Sequence, residues 1–488
     1  MVCDPASGSG GFLIRAFEYV RSQIVADIQA QKDAERTRIE ALALPEEEEE
    51  QQIEQAFARL NHELLPSGDD NEPIDTRVGR LAWQCIYGTD AEARAARTAK
   101  MNMIMHGDGH GGIHYHDGLL DINGIFNDRF DLVLTNPPFG SNVGRDQKVG
   151  GSDEARVPTD AEYLRRCRKH GYGASWEESH HRLLQAEKEQ TPILDLFEIG
   201  KGKNNRPTEL IFVERCLNLL KPGGRMGIVL PDGNLNNPSL AWLRRWAEGH
   251  AKLLAVVSLP EETFRSSNAT VKASLVFLRK FTQAEAVQWE AAWTQAHDER
   301  DAAFDQQRDA VHAEYAAHII SGEDKEAERL LAELAVLGMQ RVLPSWQRGE
   351  APAYPRQARP TTQSRPAWMG EVSKKDKKAA LELKKQTGAV LRGVQKRSDV
   401  RLSELKTRYK AIDEAHTAAL WARVRELFDY PVFVAAPKTV GITSTGETGE
   451  GVASELPGLL EAFREFEDWV ESGQKPEATP NFQVPSAA

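Results

Sequence analysis

The chain has 488 residues, well beyond the roughly 100–200 of a typical domain, so a core with large additions, or two to three domains, is expected. Its 40 % hydrophobic and 27 % charged residues suit a soluble globular protein, and no run nears the roughly 18 apolar residues of a membrane span. Its net charge of −12 argues against a chain that grips nucleic acid unaided through phosphates, which calls for a basic surface.

No basic-then-apolar leader opens the chain. Cys3, Cys85, Cys167 and Cys216 lie far apart without a CxxC pair, which excludes a disulfide framework or zinc ribbon and suits the reducing cytoplasm.

In chain order, MVCDPASGSGGF reads as a strand end, a glycine loop and a helix start. Apolar residues then recur at helical spacing from Phe12 to Ile28. Residues 30–78 form a charged, helix-prone excursion that includes Glu46 to Glu50. Short apolar strands follow at Cys85–Thr89, Ile113–Tyr115, Phe130–Thr135, Met226–Leu230, Leu253–Leu259 and Ala273–Leu278. Helical patterns at Ala91–Met105, Glu209–Leu220 and Ser239–His250 separate several of them. That alternation predicts an α/β, doubly wound, mostly parallel sheet. Leu253–Leu259 and Ala273–Leu278 are joined by a loop and predict a hairpin, hence an antiparallel edge. Residues 283–428 predict two charged helical arms around a Pro/Arg-rich break at 344–366. Pro431–Ala435 predicts an edge strand, Leu456–Val470 a final amphipathic helix, and 471–488 a disordered tail. A core over 1–282, the arms, and a C-terminal strand and helix over 429–470 are the expected organisation.

In Asp4-Pro5-Ala6-Ser7-Gly8-Ser9-Gly10-Gly11, Gly8 and Gly10 permit backbone angles closed to other residues and let a ligand approach the main chain. The loop matches neither a Walker loop nor GxGxxG, so phosphate cradling is disfavoured. Asp90 follows the next strand and precedes a helix, where a carboxylate either caps the helix or reaches a ribose diol.

Asp131-Leu132-Val133-Leu134-Thr135-Asn136-Pro137-Pro138-Phe139-Gly140 is the most informative stretch. A buried strand delivers Asn-Pro-Pro-Phe to its carboxyl end, where open α/β sheets bind ligands. The prolines fix the backbone, so the Asn136 side-chain oxygen and the Pro137 carbonyl can converge on one exocyclic amino group. Two such hydrogen bonds would draw the N6 of adenine toward tetrahedral geometry and free its lone pair for attack on a methyl sulfonium. Phe139 would stack on a base extruded from the duplex. The plain alternative is a proline-terminated strand whose Asn caps a turn and whose Phe packs in the core.

The stretches DPASGSGGFL, YGTDAEARAARTAKMNMIMHGDG, HDGLL, LVLTNPPFG, RPTELIFVERCLNLLKPGGRMGIVLPDGNL and LLAVVSLPEETFRSSNATVKASLVFLRK resemble, in the same order, the modification subunit of type I restriction-modification systems, a family of adenine-N6 DNA methyltransferases. They span most of 1–282, and YPVFVAAPKTVGITSTGET resembles a late segment of such proteins. The resemblance implies a Rossmann-like methyltransferase sheet with helical insertions and the cofactor S-adenosyl-L-methionine. Asp4, Ser7, Gly8 and Gly10 would take its methionine part, Asp90 its ribose and Asp117 its adenine amino group. Asn136, Pro137, Pro138 and Phe139 would be the catalytic box. It also implies double-stranded DNA as substrate, a separate specificity subunit and a restriction (nuclease/translocase) subunit as partners.

Family members carry a helical N-terminal domain and a Phe-Thr-Pro-Arg-like segment before the glycine loop. Only Val2 and Cys3 remain here of the strand before Asp4, so the chain reads as a truncated gene product, a misplaced start or half of a split enzyme, the last with a separate chain supplying that region as a further partner. His106, His110, His114 and His116 invite a metal, but methyl transfer needs none, and no metal is expected. Two alternatives stand beside the methyltransferase reading. One is methylation of RNA or of a protein glutamine; the other is a non-catalytic assembly fragment that binds a specificity subunit.

Overall fold

The alternation of strand and helix produces twelve strands among the residues described. They are β1 Val2–Asp4, β2 Ile86–Asp90, β3 Gly112–Tyr115, β4 Phe130–Thr135, β5 Asn142–Gly144 and β6 Asn205–Pro207. β7 Leu220–Pro231, β8 Ala251–Ser258, β9 Ala273–Lys280, β10 Met339–Arg341, β11 Ser364–Pro366 and β12 Phe433–Ala435 complete the set. The helices up to the arms are α1 Gly11–Glu40, α2 Glu46–His62, α3 Arg77–Arg80, α4 Ala93–Met105 and α5 Ala161–Lys169. After them come α6 Gly173–Lys188, α7 Thr208–Leu219, α8 Asp232–Asn236, α9 Ala241–Glu248 and α10 Gln283–Ala316. This computed structural model describes residues 1–65, 75–108, 112–267, 271–316, 326, 329–330, 332–333, 339–341, 364–366, 374–443, 449 and 451–472. His110, most of the Pro/Arg-rich break and nearly all of the tail lie outside them.

The chain divides into two units, one of residues 1–286 and 430–488, the other of residues 287–429. The first holds an eight-stranded sheet in the order β12-β8-β9-β7-β4-β1-β2-β3. Strands β3, β2, β1, β4 and β7 run parallel. Strand β9 is antiparallel to both its neighbours, and β12 is parallel to β8. The fold is therefore α/β, a mostly parallel sheet with helices packed on both faces. The hairpin places its antiparallel strand third from the edge, because β9 folds back between β7 and β8 and β12 continues the sheet beyond them.

Strand β1 is three residues long yet central: Cys3 pairs with Tyr87 of β2 and Val133 of β4. Its residues are all buried. One sheet face packs Phe130, Val133 and Met226 against α7, which contributes Ile211 and Leu217. The other buries Leu13 and Phe17 of α1 and Ala99 and Met103 of α4 against Ile86 and Ile113. Charge does not end α1 at residue 30; it runs through to Glu40. The excursion continues as α2, whose Asn61 accepts from Lys32 Nζ at 2.6 Å.

At the β12 edge, the helix Leu456–Glu471 turns Phe463 and Phe466 onto Phe433, with ring centroids 5.4 and 5.5 Å apart. In the second unit, Trp289 and Trp293 of α10 lie 5.8 and 5.3 Å from Trp421 of the helix Lys374–Leu427. His416 Nε2 meets Asp301 Oδ1 at 2.8 Å in the same helix pair. Strands β10 and β11 pair antiparallel. Among the described residues no helix is long and apolar enough to cross a membrane, and no group of three or more His, Cys, Asp or Glu could hold a metal ion.

Candidate active site

The parallel strands end side by side, and their carboxyl ends carry the residues singled out in the sequence. After β1 the chain turns through Gly8 and Gly10, whose φ values of 52° and 88° lie in the left-handed region. The turn closes with Gly10 N donating to Ser7 O at 2.7 Å and Ser7 N donating to Thr89 O at 2.9 Å. Asp90, the last residue of β2, anchors this loop: Gly8 N donates to its Oδ2 at 2.9 Å. Its Oδ1 accepts from Glu92 N at 2.8 Å. The same carboxylate thus steadies the glycine loop and the entry to α4.

Asp117 follows β3 and is fixed by Leu119 N, which donates to its Oδ1 at 2.9 Å. Burial pushes its carboxyl pKa up, against the pull of the Leu119 amide and the Arg215 charge. The next residue, Gly118, runs so close to the glycine loop that a Cβ there would fall 1.8 Å from the Pro5 carbonyl oxygen. The β1 loop and the β3 loop are therefore in backbone contact. Asp4, Ser7, Gly8, Gly10, Asp90 and Asp117 belong to one connected set of loops.

Asn136-Pro137-Pro138-Phe139 leaves β4 next to β1. Thr135 Oγ1 donates to Asp4 Oδ1 at 2.7 Å, tying the last residue of β4 to the glycine loop. Asn136 and Pro138 are exposed, Pro137 is buried and Phe139 half-buried. The Phe139 ring meets Phe264, from the β8–β9 connection, edge to face with centroids 6.3 Å apart. The loop continues to Ser141, which holds the start of α7 through Thr208 N donating to Ser141 O at 3.0 Å. Ser141 Oγ also donates to Thr208 Oγ1 at 2.8 Å.

Asp4 is 1 % exposed. Burial pushes its carboxyl up to about 7, with a smaller push from Asp90 and opposition from the Thr135 and Ala6 hydrogen bonds. An unfolded Asp4 would lose its proton near the usual 3.8, while the folded chain keeps it to about 7. In that window the native state binds the extra proton, so stability falls as pH rises and levels off above 7. The thermal midpoint of the wild type is expected to fall across that window relative to Asp4→Asn; parallel pH profiles would contradict the assignment.

The model of the family described as N-6 DNA Methylase matches residues 72–163 and 172–326, a little over half of the chain. The chain belongs to the N-6 DNA methylase family. Curated proteins give no match. Among solved structures, the chain is similar to the M protein of the type I restriction enzyme EcoKI. The two are 20 % identical over 58 % of this chain and 40 % of that one, with a TM-score of 0.32. It is similar to a modification subunit from Vibrio vulnificus YJ016 at 19 % identity, covering 57 % and 40 % of the two chains, TM-score 0.30. A chain from a type I R-M system assembly is 18 % identical over 96 % of this chain and 60 % of its own, TM-score 0.32. The chain thus spans 40 % of the length of the first two and 60 % of the third.

Two parts of this candidate site carry no motif in the sequence. Phe264 gives no local signal, because only the β8–β9 fold-back brings it to Phe139. Arg215 is 2 % exposed in α7 and holds the β3 loop from below. Its Nε donates to Gly118 O at 2.8 Å and its Nη2 to Leu120 O at 2.8 Å. The available signal was charge inside an apolar helix: TELIFVERCLNL buries both Glu214 and Arg215. Glu214 accepts from Glu198 N at 2.7 Å and Ile199 N at 2.9 Å, clamping a second loop.

Proposed function

We propose that the chain is the modification subunit of a type I restriction-modification system, transferring methyl from S-adenosyl-L-methionine to the N6 of a flipped adenine in double-stranded DNA. The observation that carries this reading is the Thr135–Asp4 hydrogen bond of 2.7 Å, which joins the Asn-Pro-Pro-Phe loop to the glycine loop. Family membership supports DNA methylation as the chemistry.

The residues present fit the cofactor. Among the described residues, a Cβ at Gly8 would meet nothing within 4 Å, so the loop is open on that side, and the buried Ser7 Oγ has no hydrogen-bond partner. Asp4, Ser7, Gly8 and Gly10 would hold the methionine end, Asp90 the ribose hydroxyls and Asp117 the adenine amino group. Bound there, S-adenosyl-L-methionine supplies an electrophilic methyl group on a sulfonium.

The chain's own residues prepare the nucleophile. Asn136 Oδ1 and the Pro137 carbonyl accept the two hydrogens of the adenine amino group and draw its nitrogen toward tetrahedral geometry. The N6 lone pair, otherwise delocalised into the ring, becomes available for attack. An amide is no base, so the amino proton leaves to water after transfer. Phe139 stacks on the extruded base, and Phe264 backs it. With a net charge of −12, the chain relies on a specificity subunit for much of its hold on DNA. A restriction subunit and a cytoplasmic location complete the proposal.

The test is expression with its proposed specificity subunit in cells devoid of adenine methylation, followed by mass spectrometry of DNA nucleosides. N6-methyladenine is expected. Asn136→Ala should lower it by about 100-fold or more, the scale of losing one positioned polar contact to the reacting group. Methyl groups confined to RNA or protein, or an undiminished Asn136→Ala, would overturn the proposal.

A further inference from the structure

Toward the amino-terminal ends of β2 and β3, away from the loops that carry Asp90 and Asp117, lies a cleft of about 510 Å³. Helix α5 (AEYLRRCRK) builds one wall by burying Tyr163 and Cys167, one helical turn apart, which leaves Arg165, Arg166 and Lys169 on its outer side. These three and Lys100 of α4 line the cleft, against one acid, Glu162. Lys100 and Arg165 make no ion pair or hydrogen bond with any described residue. Arg166 is pre-oriented by Asn123, whose Oδ1 accepts from its Nη2 at 3.0 Å.

The aromatic lining adds a second, independent feature. His170 and Tyr172 stack with centroids 5.5 Å apart and rings 11° from parallel, and Tyr87 completes this wall. Behind it Arg129 is only 8 % exposed. Its guanidinium is held between the Tyr87 and Tyr172 rings, 4.2 and 4.3 Å from their centroids. It donates to the Gly124 carbonyl and to Tyr87 Oη. Among the described residues no carboxylate pairs with it, although a buried arginine ordinarily has such a partner. The local field is positive: burial first, then Arg166 and Lys100, hold the His114 ring down at about 3.

We propose that this cleft binds a phosphate-bearing aromatic ligand of the nucleoside diphosphate class. Lys100, Arg165, Arg166 and Lys169 would take the phosphates, Arg as a fork and Lys as a point charge. The Tyr87, His170 and Tyr172 wall would face the base. The volume lies within the 300–1,000 Å³ usual for small-ligand sites. This inference stands apart from the proposed methyl transfer, since none of these residues belongs to that site.

The test is calorimetric titration of the full chain at low salt with cytidine diphosphate, inorganic pyrophosphate and cytidine. Saturating S-adenosyl-L-methionine is present throughout, to keep the proposed cofactor site filled. Saturable binding of cytidine diphosphate is expected, at least tenfold tighter than pyrophosphate and with cytidine weaker still. Arg165→Glu combined with Lys169→Glu alters only exposed side chains and should weaken cytidine diphosphate at least tenfold at an unchanged melting temperature. No saturable binding, an unaffected double variant, or pyrophosphate binding as tightly as the nucleotide would each overturn the proposal.

Discussion

Asp90→Ala is expected to weaken S-adenosyl-L-methionine binding by at least ~100-fold, which puts it outside calorimetric range. Two losses combine. The proposed ribose ligand disappears, and hydrogen bonds to an ionised group contribute roughly 1.5–3 kcal/mol each. The glycine loop also loses its anchor, because Gly8 N and Glu92 N both donate to this carboxylate, at 2.9 and 2.8 Å. Asp90→Asn keeps one acceptor oxygen and should retain part of the affinity, with the larger deficit at Gly8 or Glu92 according to the amide's orientation. Wild-type binding that survives Asp90→Ala within threefold would remove Asp90 from the cofactor site. A folded wild type that binds nothing would place the deficit in the cofactor pocket as a whole.

What could be read from the sequence, and what could not, follows from how far each signal extends along the chain. Strand β4 matches its expected span, Phe130–Thr135, because one apolar run and one proline pair define both ends locally. Strand β7 is different: it begins at Leu220 rather than Met226, and its register with β4 shifts between Phe130 and Leu132. The residues Lys-Pro-Gly-Gly look like a turn in sequence because they form that irregularity, with Gly223 at φ 81°. Helices α5 and α6 show no aliphatic periodicity because aromatic and histidine contacts replace it. Trp176 and His180 stack at 5.4 Å, and Tyr163 packs on both. At the site, residues at strand ends were legible from short motifs. Phe264 and Arg215 were not, since each acts through an element far away in the chain.

Arg215→Met is expected to destabilise the sheet-bearing unit by about 3–5 kcal/mol, the range for breaking a buried charge pair from one side. Methionine matches the arginine stem in length and keeps the apolar packing of α7, so the cost isolates the guanidinium. That group serves Gly118 O, Leu120 O and, more distantly, Ile125 O at 3.3 Å. It also pairs with Asp121, which is 4 % exposed in its side chain and, among the described residues, keeps only the more exposed Arg182 once Arg215 is gone. Lysine retains the charge but cannot serve the diverging acceptors of a planar fork, so Arg215→Lys should recover only part of the loss. Because Gly118 packs under the Pro5 carbonyl, loosening this loop also displaces Asp117 from the glycine loop. Urea unfolding of wild type and both variants checks the stability, and hydrogen exchange across residues 117–125 locates the loss. A Met variant within ~1 kcal/mol of wild type, with that loop equally protected, would show that Arg215 does not hold it.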